Sequence, residues 1–263
     1  IFRNSRMDIV ADAKTTHVTT ILSFILNYLD DDSSIALRYV THHSTNSKAT
    51  IEEWSYRKLL TSALLCAKMF FPQHTVTEGT PTSSLPCAAI MVEEGPALAI
   101  SQLAALLAGF VVVPVSPQDP PSRIQHIFED VSIAIAIVPN EKVNTTLLQA
   151  QEVPFPIVLA SEILSINVSN YNDDGVTSTF AKIKEVPKNT VSHIYFTSGS
   201  TGKPKGCIST HEALVNYCLG KNQCHNVNAD SVVFVASPHT FDPSFGDMFA
   251  TWMMGATVAC ATR

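Results

Sequence analysis

The sequence lacks the cysteine and histidine groupings that build zinc sites and disulfide frameworks. Its 6 cysteines include no Cys-x-x-Cys pair, and no Cys/His grouping has metal-ligand spacing. This pattern argues against a zinc site and against a disulfide-bonded secreted protein, so we interpret the cysteines as reduced thiols. We therefore expect no metal held by the protein's own side chains, and a cytoplasmic location.

A long hydrophobic run and a strong basic charge are also missing. Polar residues, glycine and proline interrupt the most apolar stretch, which argues against a transmembrane span, and no secretory signal peptide is recognisable. The formal net charge is −6 and the isoelectric point is about 5.8. This acidic balance argues against nucleic acid or a membrane as a partner, so we expect any basic site to be local.

Apolar strand candidates alternate with helix candidates along most of the chain. Hydrophobic residues make up 46% of the 263 residues, enough for a substantial core. The strand candidates are near-continuous apolar runs, which indicates parallel strands covered on both faces. We therefore predict an α/β fold in which strands and helices alternate in doubly wound sheets. The predicted strands lie at 35–40, 87–92, 111–115, 133–138, 194–196, 232–236 and 256–261.

A loop of small, hydroxylated and basic residues follows the strand candidate at 194–196. Residues 197–206, here called the phosphate loop, read Thr-Ser-Gly-Ser-Thr-Gly-Lys-Pro-Lys-Gly. Glycines allow close backbone approach, hydroxyl and N–H groups donate hydrogen bonds, and lysines neutralise charge, so the composition suits a phosphate group. An ordinary flexible loop is the alternative. The predicted phosphate-binding residues are Thr197, Ser198, Gly199, Ser200, Thr201, Gly202, Lys203 and Lys205.

The residues that follow Lys203 distinguish the phosphate loop from other phosphate-binding motifs. It is not a Walker A loop, because Pro204 follows Lys203 where that motif has Ser or Thr. Ser209 and Glu212 have the spacing of a capping box in front of an apolar run, which predicts a helix start. A strand, a glycine-rich loop and a helix in this order present backbone donors to anions.

Residues 197–206 match, residue for residue, the phosphate-loop signature of the adenylate-forming (AMP-binding) enzymes. The continuation through His211, Leu214 and Asn216 resembles adenylation domains of nonribosomal peptide synthetases. The resemblance implies that the loop holds the outer phosphates of ATP while a carboxylate attacks the α-phosphate, which gives an acyl-adenylate and pyrophosphate. It also implies Mg²⁺ with the ATP, and phosphopantetheine on a carrier protein as the acceptor.

A second candidate site lies at Phe241 and Asp242, which we predict to bind the substrate. The stretch 237–249 resembles the fourth core motif of adenylation domains, in which the aspartate, here Asp242, pairs with the α-amino group of an amino acid. A substrate ammonium taken out of water needs such a fixed opposite charge. The alternative role of Asp242 is a helix N-cap, with Pro243 in the first turn. Asp247 is predicted on the solvent side of that helix.

The resemblance covers most of the chain and predicts that residues 1–263 form the N-terminal part of an adenylation domain. It places the catalytic lysine of a small C-terminal domain beyond Arg263, so the catalytic residues remain unassigned and this chain alone is expected to be inactive. The predicted function is ATP-dependent activation of an amino acid or another carboxylate for transfer to a carrier-protein thiol. A fragment of an acyl-CoA ligase, which would not need Asp242, and a non-catalytic nucleotide-binding remnant are the alternatives.

Overall fold

Two β-sheets with helices packed around them make up the fold. The computed structural model describes residues 20–41, 49–71, 81, 84–143, 154–170, 186–197 and 203–261. The α-helices are α1 (Leu22–Ile25), α2 (Tyr56–Phe70), α3 (Pro96–Leu107), α4 (Pro121–Asp130), α5 (Ala160–Leu164), α6 (His211–His225) and α7 (Asp242–Met253), and short 3₁₀ helices cover Leu26–Tyr28 and Val168–Asn170. The strands are β1 (Ile35–Thr41), β2 (Thr50–Ser55), β3 (Cys87–Ile90), β4 (Val111–Pro114), β5 (Ile133–Val138), β6 (Ile157–Leu159), β7 (Val191–Thr197), β8 (Lys205–Thr210), β9 (Val232–Phe234) and β10 (Thr257–Ala261).

Most neighbouring strands are parallel. The six-stranded sheet has the order β6-β5-β3-β4-β7-β8, and only the β7–β8 pair at its edge is antiparallel. The four-stranded sheet has the order β2-β1-β10-β9, with β2 antiparallel at its edge. The non-sequential strand order and the parallel pairs confirm the predicted α/β class.

Both faces of the six-stranded sheet are buried. In β4, Val112 belongs to the main core together with α3, whereas Val111 and Val113 belong to a second core. Ile124 and Ile127 of α4 complete that second core. Because neighbouring side chains in a strand point to opposite faces, each face needs its own apolar cover. This explains why β4 reads as a continuous apolar run.

The main core joins the two sheets through α2, α3 and α7. Trp252 of α7 is fully buried, and its Nε1 donates a hydrogen bond to the carbonyl of Ala36 in β1 at 2.9 Å. At the start of α2, the Tyr56 hydroxyl donates to the carbonyl of Ala256 at 2.7 Å. Both bonds satisfy buried polar groups. The Trp252 bond fixes α7 against the four-stranded sheet, and the Tyr56 bond joins α2 to the residue just before β10. None of the helices in the described residues has the length and apolar character needed to cross a membrane.

The segment after the phosphate loop differs from the prediction. Residues 205–210 form β8, which pairs antiparallel with β7, so a strand lies between the loop and α6. The N-cap of α6 is Thr210, whose side chain accepts a hydrogen bond from the Ala213 N–H at 3.2 Å. The capping box predicted at Ser209 is therefore wrong, and Glu212 instead pairs with Lys188 at 2.8 Å. The loop closes a β-hairpin and does not open directly into a helix.

Candidate functional site

The phosphate loop leaves the sheet at the end of β7 and returns at the start of β8. Thr197 and Lys205 stand opposite each other in the antiparallel register, and the Thr197 hydroxyl lies 3.5 Å from the Lys205 carbonyl, to which it donates. Lys203 precedes β8. These residues form the described base of the loop, whereas Ser198, Gly199, Ser200, Thr201 and Gly202 lie outside the described residues.

The base of the phosphate loop carries two exposed lysines, Lys203 and Lys205. Neither forms an ion pair with a carboxylate in the part of the chain that the structure describes. Two uncompensated positive charges beside a glycine-rich loop fit an anionic group such as a phosphate.

Arg123 fixes the strand end from which the phosphate loop departs. Its guanidinium donates to the carbonyl of Phe196 at 3.1 Å. Asp119, one turn earlier, holds the same guanidinium through Nε at 3.0 Å. Because Phe196 is the last buried residue of β7, this contact anchors the loop at its N-terminal side.

A pocket of about 130 Å³ lies where α6 and α7 meet the β7–β8 hairpin. Its volume is close to that of an engineered cavity of about 150 Å³ that accepts benzene. Asp242, Tyr217 and His193 contribute its functional groups. Its lining residues are His193, Ser209, Ala213, Leu214, Tyr217, Asp242, Pro243 and Gly246.

Asp242 is the first residue of α7, not its N-cap. The N-cap is Phe241, whose carbonyl accepts hydrogen bonds from the backbone N–H of Ser244 at 3.0 Å and from its hydroxyl at 2.7 Å. The Asp242 side chain is exposed and forms no hydrogen bond or ion pair with the other described residues. A carboxylate at a helix N-terminus is favoured by the helix dipole, and this one remains available to a ligand. Phe241 is 63% exposed beside it and is not part of the lining.

His193 provides an uncharged wall of the pocket. Burial, and to a lesser degree the nearby His211, lowers the pKa of His193 to about 3. Ser192 Oγ lies 2.9 Å from its Nδ1, and the ring packs 4.5 Å from that of Phe245. The imidazole is therefore neutral at physiological pH, which leaves Asp242 as the charged side chain among the lining residues.

Tyr217 closes the pocket from the α6 side. A Cβ atom at Gly246 would overlap its ring, so glycine permits this close approach between α6 and α7. Burial, together with the nearby Cys218 and Asp242, raises the pKa of the Tyr217 hydroxyl, which stays protonated. Lys221 and Asp247 form an ion pair between the same two helices. The prediction that Asp247 faces solvent is wrong, because its side chain is only 17% exposed.

The pocket and the phosphate loop share one face of the β7–β8 hairpin. His193 and Thr197 are four positions apart in β7, so their side chains point the same way, and their partners Ser209 and Lys205 do too. At about 3.3 Å per residue the two ends are separated by about 13 Å. Asp242 stands beside the His193 end and the lysines mark the other end, an arrangement the sequence did not predict.

The described residues contain no group of three or more His, Cys, Asp or Glu side chains that would hold a metal ion. Mg²⁺ prefers to keep waters and bind phosphate oxygens with one or two carboxylates. A magnesium ion that accompanies ATP therefore does not need a preformed cage in this part of the protein.

Comparison with known proteins places the chain in a family. The family model described as AMP-binding enzyme matches residues 35–263. The chain therefore belongs to the AMP-binding enzymes, a family of adenylate-forming ligases that use ATP, as its phosphate-loop residues predicted.

The curated relatives are large peptide synthetases. FR901469 synthetase from Dothideomycetidae sp. (strain 11243) is 28% identical over 235 residues, which cover 87% of this chain and 1% of that protein. Nonribosomal peptide synthetase sidC from Aspergillus fumigatus is 28% identical over 254 residues, 88% of this chain and 5% of that protein. This chain thus spans only a small part of their length.

A solved structure confirms the fold. The complex of VinN with 3-methylaspartate superposes with a TM-score of 0.68 at 17% identity, over 92% of this chain and 61% of that chain. At this identity the likeness concerns the architecture, and it supports the assignment of both sheets to the fold of adenylate-forming enzymes.

Proposed function

We propose that this chain binds an amino acid and the phosphates of ATP for formation of an aminoacyl-adenylate. The observation that carries the proposal is the polarity of the hairpin face. Asp242 lies at one end, and Lys203 and Lys205, which form no ion pair with the other described residues, lie at the other. The ammonium group of an amino acid complements the Asp242 end, and the phosphates of ATP complement the lysine end.

The chemistry assigns separate tasks to the two ends. A carboxylate oxygen of the substrate attacks the α-phosphorus of ATP, the bond from that phosphorus to the bridging oxygen breaks, and pyrophosphate leaves with the bonding electrons. Lys203, Lys205 and the donors of the phosphate loop, Thr197, Ser198, Gly199, Ser200, Thr201 and Gly202, would hold the outer phosphates and stabilise the charge that builds there. Mg²⁺ would neutralise further phosphate charge.

Asp242 supports an amino acid over a simple carboxylic acid. A ligand ammonium that enters the pocket loses water, and a fixed carboxylate offsets that cost. The neutral His193 and the protonated Tyr217 bring no competing charge. An acyl-CoA ligase would gain nothing from Asp242, so the pocket favours the amino-acid activating function. Phe241 would cover the substrate at the rim.

Transfer of the activated amino acid to a phosphopantetheine thiol of a carrier protein is the proposed second step. Its support is the similarity to peptide synthetases, of which this chain spans a small part. Residues 1–263 would then provide the phosphate loop and the amino-acid pocket of an adenylation domain.

The test is amino-acid-dependent exchange of pyrophosphate into ATP. It is run on the 263-residue chain and on the polypeptide translated from the full open reading frame that encodes it, with a panel of amino acids and matched acids lacking the amine. We expect exchange in the product of the full open reading frame, with a preference for amine-bearing substrates. Exchange that is equal for the acids without an amine would refute the role of Asp242, and no exchange in either product would refute the activity.

Asp242→Asn sharpens the test. The amide keeps the size of the side chain but removes the charge, and we expect kcat/KM for the amino acid to fall by about 30-fold, or about 2 kcal/mol, with KM for ATP little changed. Asp230→Asn, at an exposed aspartate in the turn before β9, is the matched control and should behave like the wild type.

A further inference from the structure

Glu94 is a buried carboxylate that binds the backbone just ahead of Asp242. It lies after β3 and its side chain is only 6% exposed. Its Oε1 accepts a hydrogen bond from the backbone N–H of His239 at 2.8 Å, across 145 positions of sequence. Burial of a carboxylate costs free energy, and the charge-assisted hydrogen bond to the backbone N–H of His239 offsets part of that cost.

His239 is held from two more sides. Its carbonyl accepts a hydrogen bond from the Tyr195 hydroxyl at 3.2 Å. Its Nε2 lies 3.3 Å from the carbonyl of Val115, and since a carbonyl only accepts, this nitrogen carries the proton. The carboxyl ends of β3 and β4, together with β7, thus all contact one residue.

The hold on His239 extends to the pocket through short local bonds. The backbone N–H of Phe241 donates to the Pro238 carbonyl at 2.9 Å, and Ser244 in turn donates to Phe241. His239 lies three residues before Asp242. A displacement of His239 would therefore move the start of α7 and the carboxylate that faces the pocket.

We propose that Glu94 is a positioning residue for the amino-acid site: through His239 it fixes Asp242 at the pocket, an inference that rests on the proposed role of Asp242. Glu94 does not touch the substrate. Its effect is on where the charge of Asp242 stands, because a group misplaced by about 1 Å loses much of its contribution to binding and catalysis.

The kinetic test uses the polypeptide translated from the full open reading frame. We expect Glu94→Ala to raise KM for the amino acid about tenfold and to leave KM for ATP within about twofold. Glu94→Gln keeps a side-chain oxygen that accepts from His239, so it should restore KM to within about threefold of the wild type. Glu93→Ala is the matched control, since this neighbouring glutamate is exposed and accepts from Gln118 at 2.9 Å.

A double mutant separates positioning from general damage. If Glu94 acts through Asp242, then Glu94→Ala should add little to the loss already caused by Asp242→Asn. The same fold loss in both backgrounds, or a matching rise in KM for ATP, would overturn the proposal. If Glu94→Ala does not fold, Glu94→Leu fills the buried volume while it also removes the acceptor.

Hydrogen exchange on the 263-residue chain gives a readout without catalysis. Amide exchange in the peptide that covers 237–241 should accelerate about tenfold in Glu94→Ala and stay unchanged in Glu93→Ala. Unchanged exchange in Glu94→Ala would overturn the hold on His239 even in an active enzyme. An inactive wild type would instead refute the proposed function, and with it the role in amino-acid binding, while the exchange result still decides whether Glu94 holds the segment.

Discussion

The contact between Gly246 and Tyr217 predicts that one substitution changes sign with its background. Gly246 lies inside α7, is buried, and has no positive φ. Alanine is favoured over glycine in a helix interior by about 0.8–1.0 kcal/mol. A Cβ at Gly246 would overlap the Tyr217 ring, however, and overpacking of this kind costs about 1–3 kcal/mol. We therefore expect Gly246→Ala to destabilise the protein by up to about 2 kcal/mol.

Removal of the Tyr217 ring should reverse the effect of Gly246→Ala on stability. In a Tyr217→Ala background the three atoms nearest to a Cβ at Gly246 are gone, so Gly246→Ala should stabilise by about 1 kcal/mol through helix propensity. The coupling between the two positions would then equal the overpacking cost, about 1–3 kcal/mol. Urea unfolding of the four proteins at one pH measures it. Equal effects of Gly246→Ala in both backgrounds would refute the close packing of α6 on α7 at the pocket.

Two further predictions concern the phosphate loop and the buried histidines. Lys203→Ala should lower kcat/KM for ATP about tenfold or more in the exchange assay, while Lys68→Ala, at an exposed lysine of α2, should not; equal rates would contradict a phosphate role. Burial lowers the pKa of His193 to about 3 and that of His211 to about 4, from the ordinary 6.5. Stability present above pH 6.5 is lost as the unfolded chain takes up protons, so the free energy of unfolding should fall by about 2 kcal/mol per histidine between pH 7 and 5. Urea titrations of His211→Leu should show about half of the loss that both histidines together cause in the wild type. The same pH dependence in His211→Leu and the wild type would contradict the role of His211.

Several elements were predictable because their own side chains carry the signal. The strand at 133–138 agrees with β5, which is an uninterrupted apolar run, and the strand at 35–40 agrees with most of β1, where Arg38 is the one charged residue. The polar strand β2 was missed, and it directly precedes α2. Four of the six residues of β2 are exposed at a sheet edge. The strand therefore depends on pairing with β1, which no local sequence pattern reveals.

The candidate site, too, was predictable only where its own residues carry the signal. The phosphate loop was recognised by its residues, but the hairpin at its base depends on the pairing of β7 with β8. Glu94 gave no signal because its partner His239 is distant in sequence. His193 and Tyr217 read as ordinary strand and helix residues, and only the packing of α6 and α7 brings them beside Asp242.

The charge distribution on the hairpin face bears on selectivity as well as on affinity. A substrate without an amine would leave Asp242 desolvated and unpaired beneath it, and a substrate with a second acidic group near that position would be repelled. The two ends of the hairpin face are about 13 Å apart along the strand, so the lysines do not cancel the charge of Asp242 in the pocket. Discrimination among carboxylic acids would therefore arise largely from what the Asp242 end rejects. The lysine end would contact ATP, which is the same for every carboxylic acid, so it would contribute equally to the reaction of each of them.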